Sequence, residues 1–153
     1  MQDGRGIGRG LAALTTALMA PVVLGNAATP AQDVKVTVTD LRSEKGKVLA
    51  CLTAKPRAFP DCNKDPQALS KVVAAGETVA FTFHDVPPGT YAISLLHDEN
   101  ANGRADKALM IPKEGFGFSR DAKVRMGPPK FDSAAFTVGS ATVYQRIRMR
   151  YLF

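Results

Sequence analysis

The chain has 153 residues, 20 Lys plus Arg against 14 Asp plus Glu, two cysteines and no tryptophan. Once an amino-terminal signal is set aside, the 126 residues that remain suffice for one domain with one core and are too few for two. The remaining 18 cationic and 13 anionic side chains suit a surface facing anionic neighbours, but the cations are scattered, which sets nucleic acid aside as a partner.

Arg5 and Arg9 lead into the apolar run Leu11–Leu24, which is too short to cross a bilayer comfortably and stands where the hydrophobic segment of a secretory signal belongs. Gly25 and Ala27 offer the small side chains that signal peptidase reads. Cleavage is expected after Ala27, giving a signal over 1–27 and a domain over 28–153 that resides in the periplasm or is secreted; an uncleaved anchor is the other reading. No second hydrophobic segment of membrane length follows, so no transmembrane segment is expected in the mature chain.

Val34, Val36 and Val38 alternate with Lys35, Thr37 and Thr39, the period-two pattern of a strand with one buried face. Residues 42–46 read as a turn, and Lys47–Thr53 as a second strand with Val48, Ala50 and Leu52 on one side. Within 61–77, Asp65 and Pro66 suit the start of one or two helical turns, passing into a short strand near Lys71–Ala74. Val79, Phe81 and Phe83, then a Pro87-Pro88-Gly89 turn, then Tyr91, Ile93 and Leu95, predict a hairpin with its larger side chains inward. Such a pair needs a second apolar layer, so the expected class is all-β: a small antiparallel β-sandwich of about seven strands, transthyretin-like or immunoglobulin-like.

Residues 98–130 are polar and glycine-rich with little periodicity, a length of loop that in a small domain is usually functional. Phe116 and Phe118 alternate with glycines there and either plug one end of the sandwich or present rings to a ligand. The chain closes with Ala134, Phe136 and Val138 on one face, then a strand over 142–152. In that strand Gln145, Ile147, Met149 and Tyr151 share one side, and Arg146, Arg148 and Arg150 the other. The three arginines either guard a sheet edge against aggregation or offer a contact to an anionic surface.

Cys51 and Cys62 are even in number and suit an oxidising compartment, so a disulfide is expected. Closing so short a loop is worth roughly 2 to 3 kcal/mol by the chain-entropy argument. Two separate buried thiols are the alternative.

The run Asp98-Glu99-Asn100-Ala101-Asn102-Gly103-Arg104-Ala105-Asp106 places oxygen-bearing side chains at positions 1, 3, 5 and 9, with glycine at 6. Calcium takes six to eight hard oxygens, and this spacing turns alternate side chains toward one centre. The candidate metal set is Asp98, Asn100, Asn102, Arg104 through its carbonyl, Asp106 and Glu114; position 12 is Leu109 and supplies no carboxylate, so Glu114, or Glu99 in its place, has to fold back to provide one. Few carboxylates imply weak Ca2+ affinity, on the order of 10⁻⁴ to 10⁻³ M. A network of Asx-turns needing no metal is the competing reading.

Together FTFHDVPPGTYAISLLHDENANGRAD, IPKEGFGFSRDA and GPPKFDSAAFTV resemble the DUF2141 family of uncharacterised exported bacterial proteins. The resemblance implies a compact β-sandwich and no known activity or substrate. It carries onto His97, Asp98, Asn100, Asn102, Gly103 and Asp106, and onto Pro112, Lys113, Glu114, Gly115 and Gly117.

His84 and His97 are the only histidines; His97, in the inward register of Leu95, is expected to hold the loop entrance by bonding Asp106 or Glu114. Ser119 is a conceivable nucleophile, but no G-x-S-x-G elbow frames it, and no catalytic residue is assigned. The expected function is therefore a non-catalytic binding or accessory module that meets an envelope protein or a glycan. The alternatives are an envelope-associated structural protein using its basic strand face and, last, a hydrolase.

Overall fold

The computed structural model describes residues 29–103, 107–108, 111–112, 114–125 and 127–152; the expected signal lies outside the described residues. The elements in chain order are β1 (Gln32–Thr39), β2 (Lys47–Thr53), β3 (Leu69–Ala74), β4 (Val79–Val86), β5 (Gly89–Asp98), β6 (Lys107–Ala108), β7 (Ile111–Pro112) and β8 (Gly115–Phe118). A 3₁₀ turn (Ser119–Asp121), a one-turn helix α1 (Phe131–Ala134), β9 (Phe136–Val138) and β10 (Val143–Arg148) complete the chain.

Two sheets face each other: a three-stranded one in the order β10-β1-β4, and a five-stranded one in the order β3-β2-β5-β8 with β9 also paired to β5. The alternation read from the sequence sets the buried faces. Val34, Val36 and Val38 from β1, Val48, Ala50 and Leu52 from β2, and Ile93 and Leu95 from β5 line the core between the sheets with Phe83, Ile147 and Met149. Burying each such valine contributes at least about 1.5 kcal/mol, which is what drives the two layers together.

The expected hairpin of residues 79–95 is corrected. β4 pairs with β1 and β5 pairs with β2, so the two consecutive strands lie in different sheets and Pro87-Pro88 carries the chain across the sandwich. Phe83 and Ile93 therefore lie on opposite walls of one core. Period two tells which face a strand buries, but a core between two sheets satisfies it as well as a core beneath one. The helical turns expected after Asp65 are also absent. Asp65 caps a single turn, with its Oδ1 accepting the Gln67 N–H at 3.1 Å and its carbonyl accepting the Ala68 N–H at 3.0 Å, and the chain then enters β3. β1 and β10 run parallel, the one parallel pairing among the described strands.

Residues 98–130 hold three strands that the sequence did not announce, the two-residue pair β6–β7 and the longer β8. On β8, Gly115 and Gly117 stand opposite His97 and Leu95, on the inner face, and Phe116 and Phe118 stand opposite Leu96 and Ser94, on the outer face. The inner glycines make room: a Cβ on Gly117 would lie 2.7 Å from Ile147 Cγ2, and one on Gly115 would enter the Tyr151 ring. The chain after β10 can thus lie against β8, where Phe116 and Arg150 exchange two backbone hydrogen bonds of 2.9 Å and join the sheets along that side.

Phe116 and Phe118 accordingly neither plug an end of the sandwich nor meet solvent. They are buried on the outer face of the five-stranded sheet in a second apolar cluster with Ala92, Ala122, Phe131 and Ala134, against which Phe59 packs. Phe59 meets Phe118 and Phe131 edge-on at centroid distances of 5.6 and 6.0 Å. The cover is the 54–68 loop, tied down by the Cys51–Cys62 disulfide, whose Cα atoms are 6.3 Å apart, a normal span for such a bridge. Asp65 holds the same loop from within: it accepts the Thr53 hydroxyl at 2.6 Å and pairs with Lys55 at 2.8 Å, and these two contacts hold its carboxyl below the usual range.

Candidate functional site

One end of the sandwich gathers His97 and the Asp98 turn with polar groups from two other segments of the chain. β5 ends there at His97 and Asp98, the β1–β2 connection passes with Arg42, Ser43 and Lys45, and the tail after β10 brings in Tyr151.

His97 is fully buried, on the inner face, as its register predicts. Its partners differ from those expected. Nδ1 lies 2.7 Å from the Tyr151 hydroxyl and Nε2 lies 2.8 Å from the Lys45 carbonyl. A carbonyl only accepts, so Nε2 carries the ring proton. The Tyr151 oxygen accepts the Arg42 N–H at 3.1 Å and donates its own hydrogen to Nδ1. Both ring nitrogens are thereby spent on fold contacts among three chain segments. Burial raises the Tyr151 phenol above its ordinary pKa, and the Arg42 guanidinium sits over its ring, 4.6 Å from the centroid.

Glu99, weighed above only as a spare calcium ligand, is occupied. Arg42 donates to its Oε2 from Nε at 3.0 Å and from Nη2 at 2.5 Å, and the Ser43 hydroxyl donates to Oε1 at 2.6 Å. The Arg42 bonds come first in holding its carboxyl down at about 2, against 4.5 for an ordinary glutamate. A carboxyl whose folded-state pKa is depressed stabilises the fold above pH 4.5 and gives that stability up as the pH falls toward 2. Arg42 is partly solvated, so the expected contribution is on the order of 1 kcal/mol. In thermal melts between pH 7 and 2, Glu99→Gln should melt below the wild type at pH 6, with the gap closing by pH 2. A gap independent of pH would refute the pairing.

Asp98 is buried at 1% exposure, and its carboxylate organises the following turn. Oδ1 accepts the Asn102 N–H at 3.1 Å, Oδ2 accepts the Gly103 N–H at 2.6 Å, and Asn100 Oδ1 also accepts from Asn102 at 3.1 Å. These are the Asx-turns of the metal-free reading. Of the candidate calcium set, Arg104 and Asp106 lie outside the described residues. Glu114 is buried, and extending the β5–β8 register by one residue past His97 and Gly115 sets it across from Asp98. Among the described residues, no group of three or more His, Cys, Asp and Glu side chains stands close enough to hold a metal ion.

The three arginines of the last strand do not form an open anionic-contact row. Arg148 and Arg150 both reach Asp121 Oδ2, at 2.7 and 2.8 Å, and Arg150 also donates to the Ala122 carbonyl at 3.1 Å. The Asp121 contact raises the Arg148 guanidinium above its ordinary pKa. Arg146 is exposed. Ser119 is fully buried, with its hydroxyl donating to the Ala134 carbonyl at 2.6 Å and accepting the Ile93 N–H at 2.9 Å, so it bridges backbone segments. His84 faces solvent beside Asp33, 3.0 Å away.

Sequence reasoning missed Arg42 and Tyr151. The phenol of Tyr151 stood in the inward register of the final strand, and His97 stood inward on its own. Two polar groups facing one core need partners, and that shared need was the available signal.

No helix among the described residues is long and apolar enough to cross a membrane. No curated protein and no solved structure matches the chain. A family model described as "Uncharacterized protein conserved in bacteria (DUF2141)" matches residues 36–145, a span that takes in β2 to β9, the disulfide and the Asp98 turn. The chain therefore belongs to the DUF2141 family.

Proposed function

We propose that this chain is a non-catalytic binding module working in the periplasm or outside the cell, and that it meets its partner through the outer face of the three-stranded sheet. The observation that carries this reading is the unlike treatment of the two outer faces. That of the five-stranded sheet is sealed around Phe116 and Phe118 by the 54–68 loop and α1. That of the three-stranded sheet carries Lys35, Ala80, His84, Tyr144 and Arg146, all exposed. The apolar run Leu11–Leu24 and the cysteine pair support export, and the spent polar atoms of His97 and Ser119 support a non-catalytic role.

Retention of mature protein on immobilised bacterial envelope extract tests this. Thr37→Asp with Tyr144→Ala should abolish retention at an unchanged melting temperature, whereas Val72→Asp, on the outer face of the other sheet, should leave it intact. Retention insensitive to the double variant would remove the face, and turnover of ester, peptide or glycan substrates lost in His97→Ala would remove the non-catalytic reading.

A weak calcium site is the second reading, favoured by the register that brings Glu114 across from Asp98. Calcium titrated into chelator-treated protein should release heat that Asp98→Ala loses; no heat and no thermal shift would end it.

A further inference from the structure

The outer face of the three-stranded sheet can be laid out from its register. Tyr144 of β10 lies beside Lys35 of β1, which lies beside Thr82 of β4; the next row is Arg146, Thr37 and Ala80; Arg148 and Thr39 follow. Neighbouring strands stand about 4.8 Å apart and alternate residues about 6.6 Å apart, so these side chains form a flat grid. Thr37, Thr39 and Thr82 are half-buried along its floor, while Lys35, Tyr144, Arg146 and Arg148 rise from it.

The grid has a defined chemistry. Tyr144 is 73% exposed, and the Lys35 ammonium lies 5.7 Å from its ring centroid, which orients the ring. At one end Asp121 tempers Arg148, and at the other Asp33 stands beside His84, so the cationic character concentrates on Lys35 and Arg146. Neither of these two has an ion-pair partner among the described residues. No large aliphatic side chain rises from the face: the exposed Val72 and Leu152 lie on the other sheet and on the tail. A bilayer would find nothing here to insert.

We propose that this face binds an acidic polysaccharide, lying along the Tyr144–Arg146 row with a sugar ring on Tyr144, carboxylates or sulfates on Lys35 and Arg146, and hydroxyls on the threonine floor. The proposal rests on the binding-module reading and names its ligand class. An extended polymer of flat rings carrying regularly spaced anions matches a flat grid of one aromatic, two cations and three hydroxyls. Charge complementarity sets its salt dependence, and the ring and hydroxyls set its preference for sugar over other polyanions.

The test uses the mature protein in interferometry against immobilised polygalacturonate, with neutral dextran, vesicles rich in phosphatidylglycerol and single-stranded DNA as competitors. Polygalacturonate should bind and weaken at least tenfold between 50 and 200 mM salt. Tyr144→Ala and Arg146→Ala should each weaken binding about fivefold or more with unchanged melting temperatures, and Lys64→Ala, on the disulfide-tied loop, should not. Vesicles or DNA competing more strongly than free polygalacturonate, or binding that ignores Tyr144→Ala, would overturn the proposal. If no polygalacturonate binds but envelope retention still depends on Thr37 and Tyr144, the ligand class falls and the module stands. If retention ignores this face as well, both fall.

Discussion

Replacing Gly46 by alanine should lower the melting temperature by roughly 10 to 20 °C, the larger of two expected losses. Gly46 lies in the β1–β2 connection at φ +73°, a region that L side chains enter at a cost of about 1 to 2 kcal/mol. A Cβ there would also run into the Asp98 carbonyl oxygen and stand 2.7 Å from two backbone atoms of Glu99. Backbone cannot swing aside as a side-chain tip does, so overpacking of this kind adds about 1 to 3 kcal/mol. The total, about 2 to 5 kcal/mol, is a large share of the stability of a small domain. Gly76 is the control: nothing lies within 4 Å of its added Cβ, and Gly76→Ala should melt within about 2 °C of the wild type. Equal melting of the two variants would show that the connection does not press on the end of β5.

His97→Ala should cost about 3 kcal/mol or more, a melting temperature lower by some 10 °C. The substitution opens a cavity in a fully buried position, leaves the Lys45 carbonyl without its ring N–H donor, and takes the acceptor away from the Tyr151 hydroxyl. Tyr151→Phe opens no cavity and leaves the Lys45 contact in place, removing the bond to Nδ1 and the one from the Arg42 N–H, and should cost about 1 to 2 kcal/mol. Calorimetric melts of the two single variants and the double one check this: the double variant should fall short of the sum, because both singles break the same contact. Strict additivity would mean that the two rings do not act as a pair.

Much of the fold could be read from residues one to a few positions apart. The valines of β1, the Val48-Ala50-Leu52 face of β2 and the inward set Ile147 and Met149 all lie where period two places them, because each strand buries one face in a single core. What could not be read was which strands lie side by side. The Pro87-Pro88 turn suits a hairpin and a crossing between sheets alike, and only packing decides. β8 escaped notice for a different reason: its inner face carries glycines and its outer face is buried by a distant loop, so its alternation points away from the main core.

The site was legible in part by the same logic. Asp98, Asn100, Asn102 and Gly103 act together because they are neighbours, and their Asx-turns follow from local geometry. The contacts of His97 span 54 and 52 residues, those of Glu99 with Arg42 span 57, and Arg148 meets Asp121 across 27. Pairings over such distances leave only a weak trace in a single sequence, namely polar side chains standing in a register that faces inward.

The parallel union of β1 with β10 bears on when the protein can assemble. β1 is the middle member of its sheet, and one of its two neighbours is made from residues 143–148. A polypeptide emerging amino end first has its opening strand waiting, half paired, until residues 143–148 arrive. Contacts that far apart in the chain slow the search for the finished state.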